Sequence, residues 1–222
     1  MMPLTSDTPK CLLEVGGKTI LERQVENLYD IGISENDIIV VTGYMNEKIE
    51  KFLEDSNVKT IENQEWDETD NLYTFLLTEQ KCKEEDMIVL NGDVVFDSKI
   101  LERATSNQGS CYPIDRDIED EESLKVETSG KQLMNILPKK SENYDGATTE
   151  IFFISGKHTK ELYRKSQEIT DKDKTQWFDN GVDKIVPTAN FTTVDVSDLF
   201  WREVDTPEEL EDLEKELSKR GI

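Results

Sequence analysis

The sequence predicts an α/β fold in which helices flank a mixed, mostly parallel sheet, and three observations predict it. Strand-like and helix-like apolar patterns alternate from one end to the other, as they do when crossover helices join parallel strands. Two apolar runs, residues 37–43 and 87–90, carry no polar alternation and end in Gly43 and in Asn91-Gly92-Asp93, the pattern of strands buried on both faces. Two helices open with capping boxes, Thr19-Ile20-Leu21-Glu22 and Thr206-Pro207-Glu208-Glu209, in which hydroxyl and carboxylate each serve a backbone donor.

Taken in order, Ile20, Leu21, Val25 and Leu28 line one face of the first helix. The strand at 37–43 is followed by a short helix over about 46–54 and a strand near 58–61. Residues 72–79 suit a helix, residues 87–90 the second buried strand, and another helix begins after Ser98. The texture then changes. Residues 110–137 read as strands joined by an acidic loop at 115–122 and a Ser129-Gly130 hairpin turn. A strand at 151–154, helices near 159–168 and 177–185, a strand at 191–196 and a short extended segment at 201–204 follow. The last helix has Thr206 as N-cap, Pro207 at the first helical position, and Leu210, Leu213 and Leu217 along one face. No repeat, low-complexity tract or linker interrupts the pattern, so residues 1–222 read as one domain with a mixed-sheet insertion at about 110–155.

Composition narrows the chemistry. At 222 residues the chain can bury a core. No apolar run approaches the roughly 20 residues that cross a bilayer, and the N-terminus lacks the order of a signal peptide. The expectation is a cytoplasmic protein without a membrane partner. Cys11, Cys82 and Cys111 are too few and too scattered for a disulfide framework or a paired-cysteine metal site. His158 is the single histidine, which leaves a zinc centre or a histidine triad without ligands. Chemistry therefore falls to carboxylates, lysines, backbone amides and a hard metal ion. A formal charge of -23 repels nucleic acid. For the same reason, a phosphorylated substrate needs a divalent cation or a few well-placed lysines. No sequence pattern sets an oligomeric state.

Within this frame a few residues stand out. Asn91-Gly92-Asp93 closes a predicted central strand, at the edge where open α/β sheets bind ligands. There Gly92 admits a substrate close to the backbone and Asp93 offers hard oxygens to Mg²⁺; the same tripeptide also reads as a plain turn. Asp205 precedes the last helix and is either a second metal ligand or dipole compensation. Lys10, fixed by Pro9, places a point charge for a phosphate or forms a surface ion pair. Cys11 reads as a small buried residue. Asp70-Asn71-Leu72-Tyr73-Thr74 offers amide and hydroxyl groups to a base or a small polar substrate, or caps a helix through Asp70 or Thr69. Trp66, Tyr73, Tyr112 and Trp177 suit an aromatic wall around a cation as well as they suit core packing. His158 reads as a surface helix residue, and 115–122 as a solvated loop.

Together these residues resemble the nucleotidyltransferases that join a nucleoside triphosphate to a sugar 1-phosphate, phosphocholine or related phospho-compound. Pro3-Leu4-Thr5-x-x-x-Pro9-Lys10-x-Leu12-Leu13-x-Val15-x-Gly17-Lys18-x-Ile20-Leu21 is similar to that family's second signature. Asn91-Gly92-Asp93 resembles its metal-binding strand end. Trp201-x-Glu203-Val204-Asp205-Thr206-Pro207-Glu208-Glu209-Leu210 resembles the terminal segment of its phosphocholine-cytidylyltransferase-like branch. That branch shows Asn-Asn-x-Tyr-Ser where this chain has Asp70-Asn71-Leu72-Tyr73-Thr74. The resemblance implies a Rossmann-like fold of the nucleotide-diphospho-sugar transferase type. It implies Lys10 on substrate phosphate, Mg²⁺ on Asp93 and Asp205, and Asn71 reading the base, with Tyr73 and Gly92 beside the substrate. The implied reaction transfers a nucleoside monophosphate, CTP favoured, to a sugar 1-phosphate, phosphocholine-like or polyol phosphate, with release of pyrophosphate.

The family also places a strand and a glycine-rich Leu-Ala-Ala-Gly-x-Gly-x-Arg loop directly before the Pro-Leu-Thr run, whereas this sequence starts at Met1-Met2. The first strand and loop thus read as truncated. The expectation that follows is a native chain extending upstream of Met1. The alternative is a non-catalytic nucleotide- or ligand-binding module on the same scaffold. A glycosyltransferase is a further option, but Asn91-Gly92-Asp93-Val94-Val95 lacks the Asp-x-Asp pair that such enzymes often carry.

Overall fold

The first capping box forms as its spacing predicts: Glu22 N–H donates to Thr19 Oγ1 at 3.1 Å, and the Glu22 carboxylate returns to Thr19 N–H. It starts helix α1 (Ile20–Asp30). The computed structural model describes residues 1–118 and 122–220. These divide into two compact units, one of residues 1–62, 91–101 and 199–222, the other of residues 63–90 and 102–198.

In the first unit a one-turn 3-10 helix, Lys10–Leu12, leads into a hairpin of β1 (Glu14–Val15) and β2 (Lys18–Thr19). The turn is Gly16-Gly17, both at positive φ (59° and 78°), where side chains are strained. After α1, β3 (Ile39–Thr42) pairs in parallel with β4 (Lys59–Glu62), and α2 (Asn46–Phe52) forms the crossover. Further on, β6 (Val94–Phe96) pairs antiparallel with β13 (Trp201–Glu203), which runs into helix α8 (Pro207–Arg220). Val15, Ile20, Val95, Phe200, Val204, Leu213 and Leu217 close over one another as the core here. Leu213 and Leu217 are the face that the sequence assigns to the last helix.

The second unit carries α3 (Asn71–Leu76), α4 (Glu79–Cys82) and β5 (Met87–Leu90). Helix α5 (Lys99–Thr105) straddles the boundary at 101. The rest of this unit is β7 (Cys111–Asp115), β8 (Lys125–Ser129), β9 (Gln132–Leu137), β10 (Gly146–Thr148), β11 (Ile151–Ile154), α6 (Gly156–Thr170), α7 (Phe178–Ala189) and β12 (Thr192–Asp195). One seven-stranded sheet results, ordered β10-β8-β9-β12-β7-β11-β5. Its core joins Tyr112, Ile114 and Phe152 from the strands to Phe75, Tyr163, Phe178 and Val182 from the helices. Phe75 stacks on Tyr163 at 4.4 Å and meets Phe178 edge-on at 4.9 Å.

The mixed α/β class stands as predicted, and the element order follows the sequence closely. The parallel share is smaller than alternation alone suggests. Among the described residues, β3/β4 and β7/β12 are the parallel pairs; the remaining ladders are antiparallel, among them the β8/β9 hairpin and the pairings of β10 and β11 with β7. The helix expected over 72–79 breaks into α3 and α4. At the break Thr78 Oγ1 donates to Phe75 O and meets Tyr163 Oη, each at 2.7 Å, and such back-bonding bends helices. In the acidic loop, Asp115 Oδ1 accepts from the N–H groups of Asp117 and Ile118. Residues 119–121 of that loop lie outside the described residues. No described helix is long and apolar enough to cross a membrane.

Candidate active site

Three carboxylates and one ammonium meet in the first unit, each delivered by a different local device. Pro9, extended at φ -57° and ψ 143°, caps the 3-10 turn, and Leu13 N–H bonds back to Lys10 O at 3.1 Å. Lys10 thus stands at the first position of that turn. Its ammonium lies 2.7 Å from Asp93 Oδ2 and 2.5 Å from Asp205 Oδ1.

Asp93 is held by its backbone. The buried Gln24 of α1 donates from Nε2 to Asn91 O at 2.7 Å and to Val94 O at 2.8 Å, gripping the turn on both sides of Gly92-Asp93. Asn27, one turn later, donates to Phe96 O. Val204 N–H donates to Asp93 O at 3.1 Å, extending the β6/β13 ladder in which Glu203 stands opposite Val94. This register brings residues 203–205 beside Asp93.

Asp205 does not serve the helix behind it. The start of α8 is satisfied by Thr206 Oγ1, which accepts from Glu209 N–H at 3.2 Å. The Glu209 carboxylate in turn accepts from the N–H groups of Asp205 and Thr206. The capping box thus leaves the Asp205 carboxylate to face Lys10.

Carboxylate oxygens of Asp93, Glu203 and Asp205 lie within 4.8 Å of one another. Formally, one ammonium against three carboxylates leaves two negative charges in a small volume. Asp93 Oδ1 is buried without a hydrogen-bond partner, an arrangement rare in native structures and typical of a site completed by an ion. A set of hard oxygens fits a hard divalent cation such as Mg²⁺. The Lys10 ammonium feels opposing influences. Burial works to lower its pKa, but the field of Asp93 and the hydrogen bonds of Asp205 and Asp93 outweigh it and hold the pKa above the ordinary lysine value.

Other sequence candidates are placed as follows. A Cβ on Gly92 would meet only Cys11 Cβ at 3.9 Å, so the chain leaves the backbone there open to approach. Burial pushes the Cys11 thiol up to about 11, which keeps it protonated and inert. Asp70, Asn71 and Tyr73 belong to the second unit. Asp70 caps α3 by accepting from Asn71 N–H at 2.7 Å. Asn71 Oδ1 accepts from Phe178 N–H at 2.7 Å, and Tyr73 Oη donates to Glu65 at 2.6 Å. His158, on α6, pairs with Ser110 Oγ at 2.7 Å through Nδ1, and burial lowers its pKa.

The sequence reading missed Glu203 and Gln24. Glu203 had a signal: in an extended segment, residues i and i+2 share a face, so Glu203 and Asp205 point the same way. Gln24 was visible as a polar residue inside an apolar helix face.

Solved structures share this fold. The inositol-1-phosphate CTP transferase from T. maritima aligns over 97% of this chain and 90% of its own, with a TM-score of 0.77 at 20% identity. The CTP:phosphocholine cytidylyltransferase from Streptococcus pneumoniae aligns over 98% and 93%, with a TM-score of 0.81 at 19% identity. Among curated proteins, the bifunctional IPC transferase and DIPP synthase of Aquifex aeolicus (strain VF5) is 30% identical over 227 residues, covering 100% of this chain. The chain spans about half the length of that relative. Residues 4–118, just over half of the chain, match the MobA-like NTP transferase domain. The chain belongs to the family of MobA-like NTP transferase domains.

Proposed function

We propose that this chain is a cytoplasmic, Mg²⁺-dependent nucleotidyltransferase that moves a nucleoside monophosphate, from CTP by preference, onto a sugar or polyol phosphate. The observation that carries this reading is the Lys10–Asp93–Glu203–Asp205 cluster, with its surplus of negative charge and the orphaned Asp93 oxygen. In this reading an oxygen of the acceptor phosphate forms a bond to the α-phosphorus of the triphosphate. The bond from that phosphorus to the bridging oxygen breaks, and pyrophosphate leaves with the electron pair. Positioning and charge neutralisation carry the catalysis, with no covalent enzyme intermediate.

Asp93, Glu203 and Asp205 would hold Mg²⁺, which when bound supplies positive charge to phosphate oxygens. Lys10 brings a second positive charge to a substrate phosphate, while its ion pairs keep Asp93 and Asp205 in place. Gly92 leaves the backbone accessible beside them. Gln24 holds the Asp93 turn rigid, since a 1 Å displacement of a charged group is costly in such sites. In the second unit Asn71 Oδ1 accepts from Phe178 N–H, next to Trp177, and Tyr73 Oη donates to Glu65.

Calorimetry with Mn²⁺ tests the cluster without requiring turnover. One ion should bind the native protein, and Asp205→Asn should weaken binding by about tenfold or more. Equal binding by the two proteins would remove the cluster from the reading.

A further inference from the structure

Lys10 has two tasks in the proposed reaction, and one ammonium cannot perform both at once. It pairs with Asp93 Oδ2 at 2.7 Å and Asp205 Oδ1 at 2.5 Å, and it is also the charge offered to a substrate phosphate. We propose that Lys10 is a displaceable internal cation. Its ammonium competes with a divalent ion for Asp93 and Asp205, and it turns to a phosphate once that ion has replaced it. This rests on the nucleotidyltransferase reading and adds a regulation of the same site.

The competition follows from geometry and charge. Asp93, Glu203 and Asp205 bring oxygens within 4.8 Å of one another, and the ammonium bridges two of these three side chains. A hard divalent cation shared by those carboxylates needs their oxygens at about 2.0–2.1 Å. An ammonium already bonded to the same two groups opposes it, both by holding oxygens and by like-charge repulsion. Lys10 is also an incomplete partner: it meets Asp93 Oδ2 and leaves Asp93 Oδ1 buried without one.

The backbones that carry the two carboxylates are held without Lys10. Gln24 grips the Asp93 turn through Asn91 O and Val94 O, and Val204 N–H donates to Asp93 O. The Glu209 carboxylate accepts from Asp205 N–H at 2.7 Å. Departure of the ammonium therefore leaves Asp93 and Asp205 side by side, and the ligand set persists.

Lys10 is built to move. Leu13 N–H on Lys10 O fixes its backbone in the 3-10 turn, but the ammonium rides on a flexible four-carbon stem. The Asp205 side chain is 56% exposed, so that half of the bridge is open to water, where ion pairs are weak. A doubly charged ion outweighs a singly charged one there. A phosphate that meets the displaced ammonium gives it a new partner, so divalent ion and phosphate favour each other's binding. Lys10 is the link between them.

Calorimetric titration of Mn²⁺ alone into the native protein, Lys10→Met and Lys10→Gln reads the competition directly. With the competing charge removed, each variant should bind one ion about tenfold more tightly than the native protein. Lys10→Gln keeps an amide donor, so a gain in both variants belongs to the charge and not to a lost hydrogen bond. Acylation of the Lys10 amine, followed by mass spectrometry of the native protein, is the second readout. Saturating Mn²⁺ should speed it by about threefold or more as the ion pairs open, with the exposed Lys215 unchanged. Equal or weaker binding in the variants, or Lys10 labelling that the ion leaves unchanged, overturns the proposal. The metal reading survives that result if Asp205→Asn still weakens the ion. No ion bound by the native protein or by either Lys10 variant brings down the metal reading and this proposal together.

Discussion

Asp93→Ala is expected to lower pyrophosphate release by about 10³-fold, the scale on which removing one preorganised charge-stabilising group acts. The substitution removes the one carboxylate that both pairs with Lys10 and holds a buried, unpartnered oxygen. Stability should move little. Losing the ion pair to Lys10 costs something, but removing one of three crowded carboxylates relieves repulsion, and Lys10 keeps Asp205 at 2.5 Å. The two effects offset to within about 1 kcal/mol. Activity assayed alongside urea unfolding separates the outcomes: lost turnover with an unchanged midpoint marks a functional carboxylate, and near-normal turnover refutes the metal role. Asp93→Asn keeps the shape and serves as the charge control.

Gly156→Ala should be the most damaging small substitution in the second unit. A Cβ at this position would lie 2.3 Å from Glu84 O and 2.9 Å from Glu84 C, so the clash is with backbone rather than with a movable side chain. Gly156 N–H also donates to Asp86 at 2.6 Å, fixing the start of α6 against the 84–86 turn. Relief requires α6 to shift, and α6 supplies Leu162 and Tyr163 to the core. The expected loss is about 3 kcal/mol, read from the urea midpoint. Gly92→Ala is the contrast, because its Cβ would meet only Cys11 Cβ at 3.9 Å; it should fold with unchanged stability.

Much of this arrangement was legible because local chemistry and global fold agree. Thr19 with Glu22, and Thr206 with Glu209, are short-range devices that a sequence displays outright. The apolar runs at 39–42 and 87–90 are strands because they match no helical period. What escaped depends on long-range pairing. β6 is three residues after a turn, and only its ladder with β13 makes it a strand. β10, Gly146–Thr148, carries no pattern at all and exists through β7 and β8.

The site divides along the same line. Lys10, Asp93 and Asp205 were visible one by one, each beside a plain structural alternative, and only geometry shows that Glu209 frees Asp205 from capping. Glu203 joins them through the β6/β13 register. Asn71 and Tyr73 looked like substrate readers because amide and phenol groups suit that task. Here Asn71 accepts from Phe178 and Tyr73 donates to Glu65. A sequence shows which groups are able to form hydrogen bonds, but not which partners the fold sets beside them.

Pyrophosphate release by the native protein, supplied with Mg²⁺, each of the four triphosphates in turn and a panel of sugar and polyol phosphates, tests the central claim most directly. The account predicts release that depends on both substrates, is greatest with CTP, and is lost in Asp93→Ala. Tight binding of CTP and acceptor without any pyrophosphate would contradict it, and would make this chain a binding module on a nucleotidyltransferase scaffold.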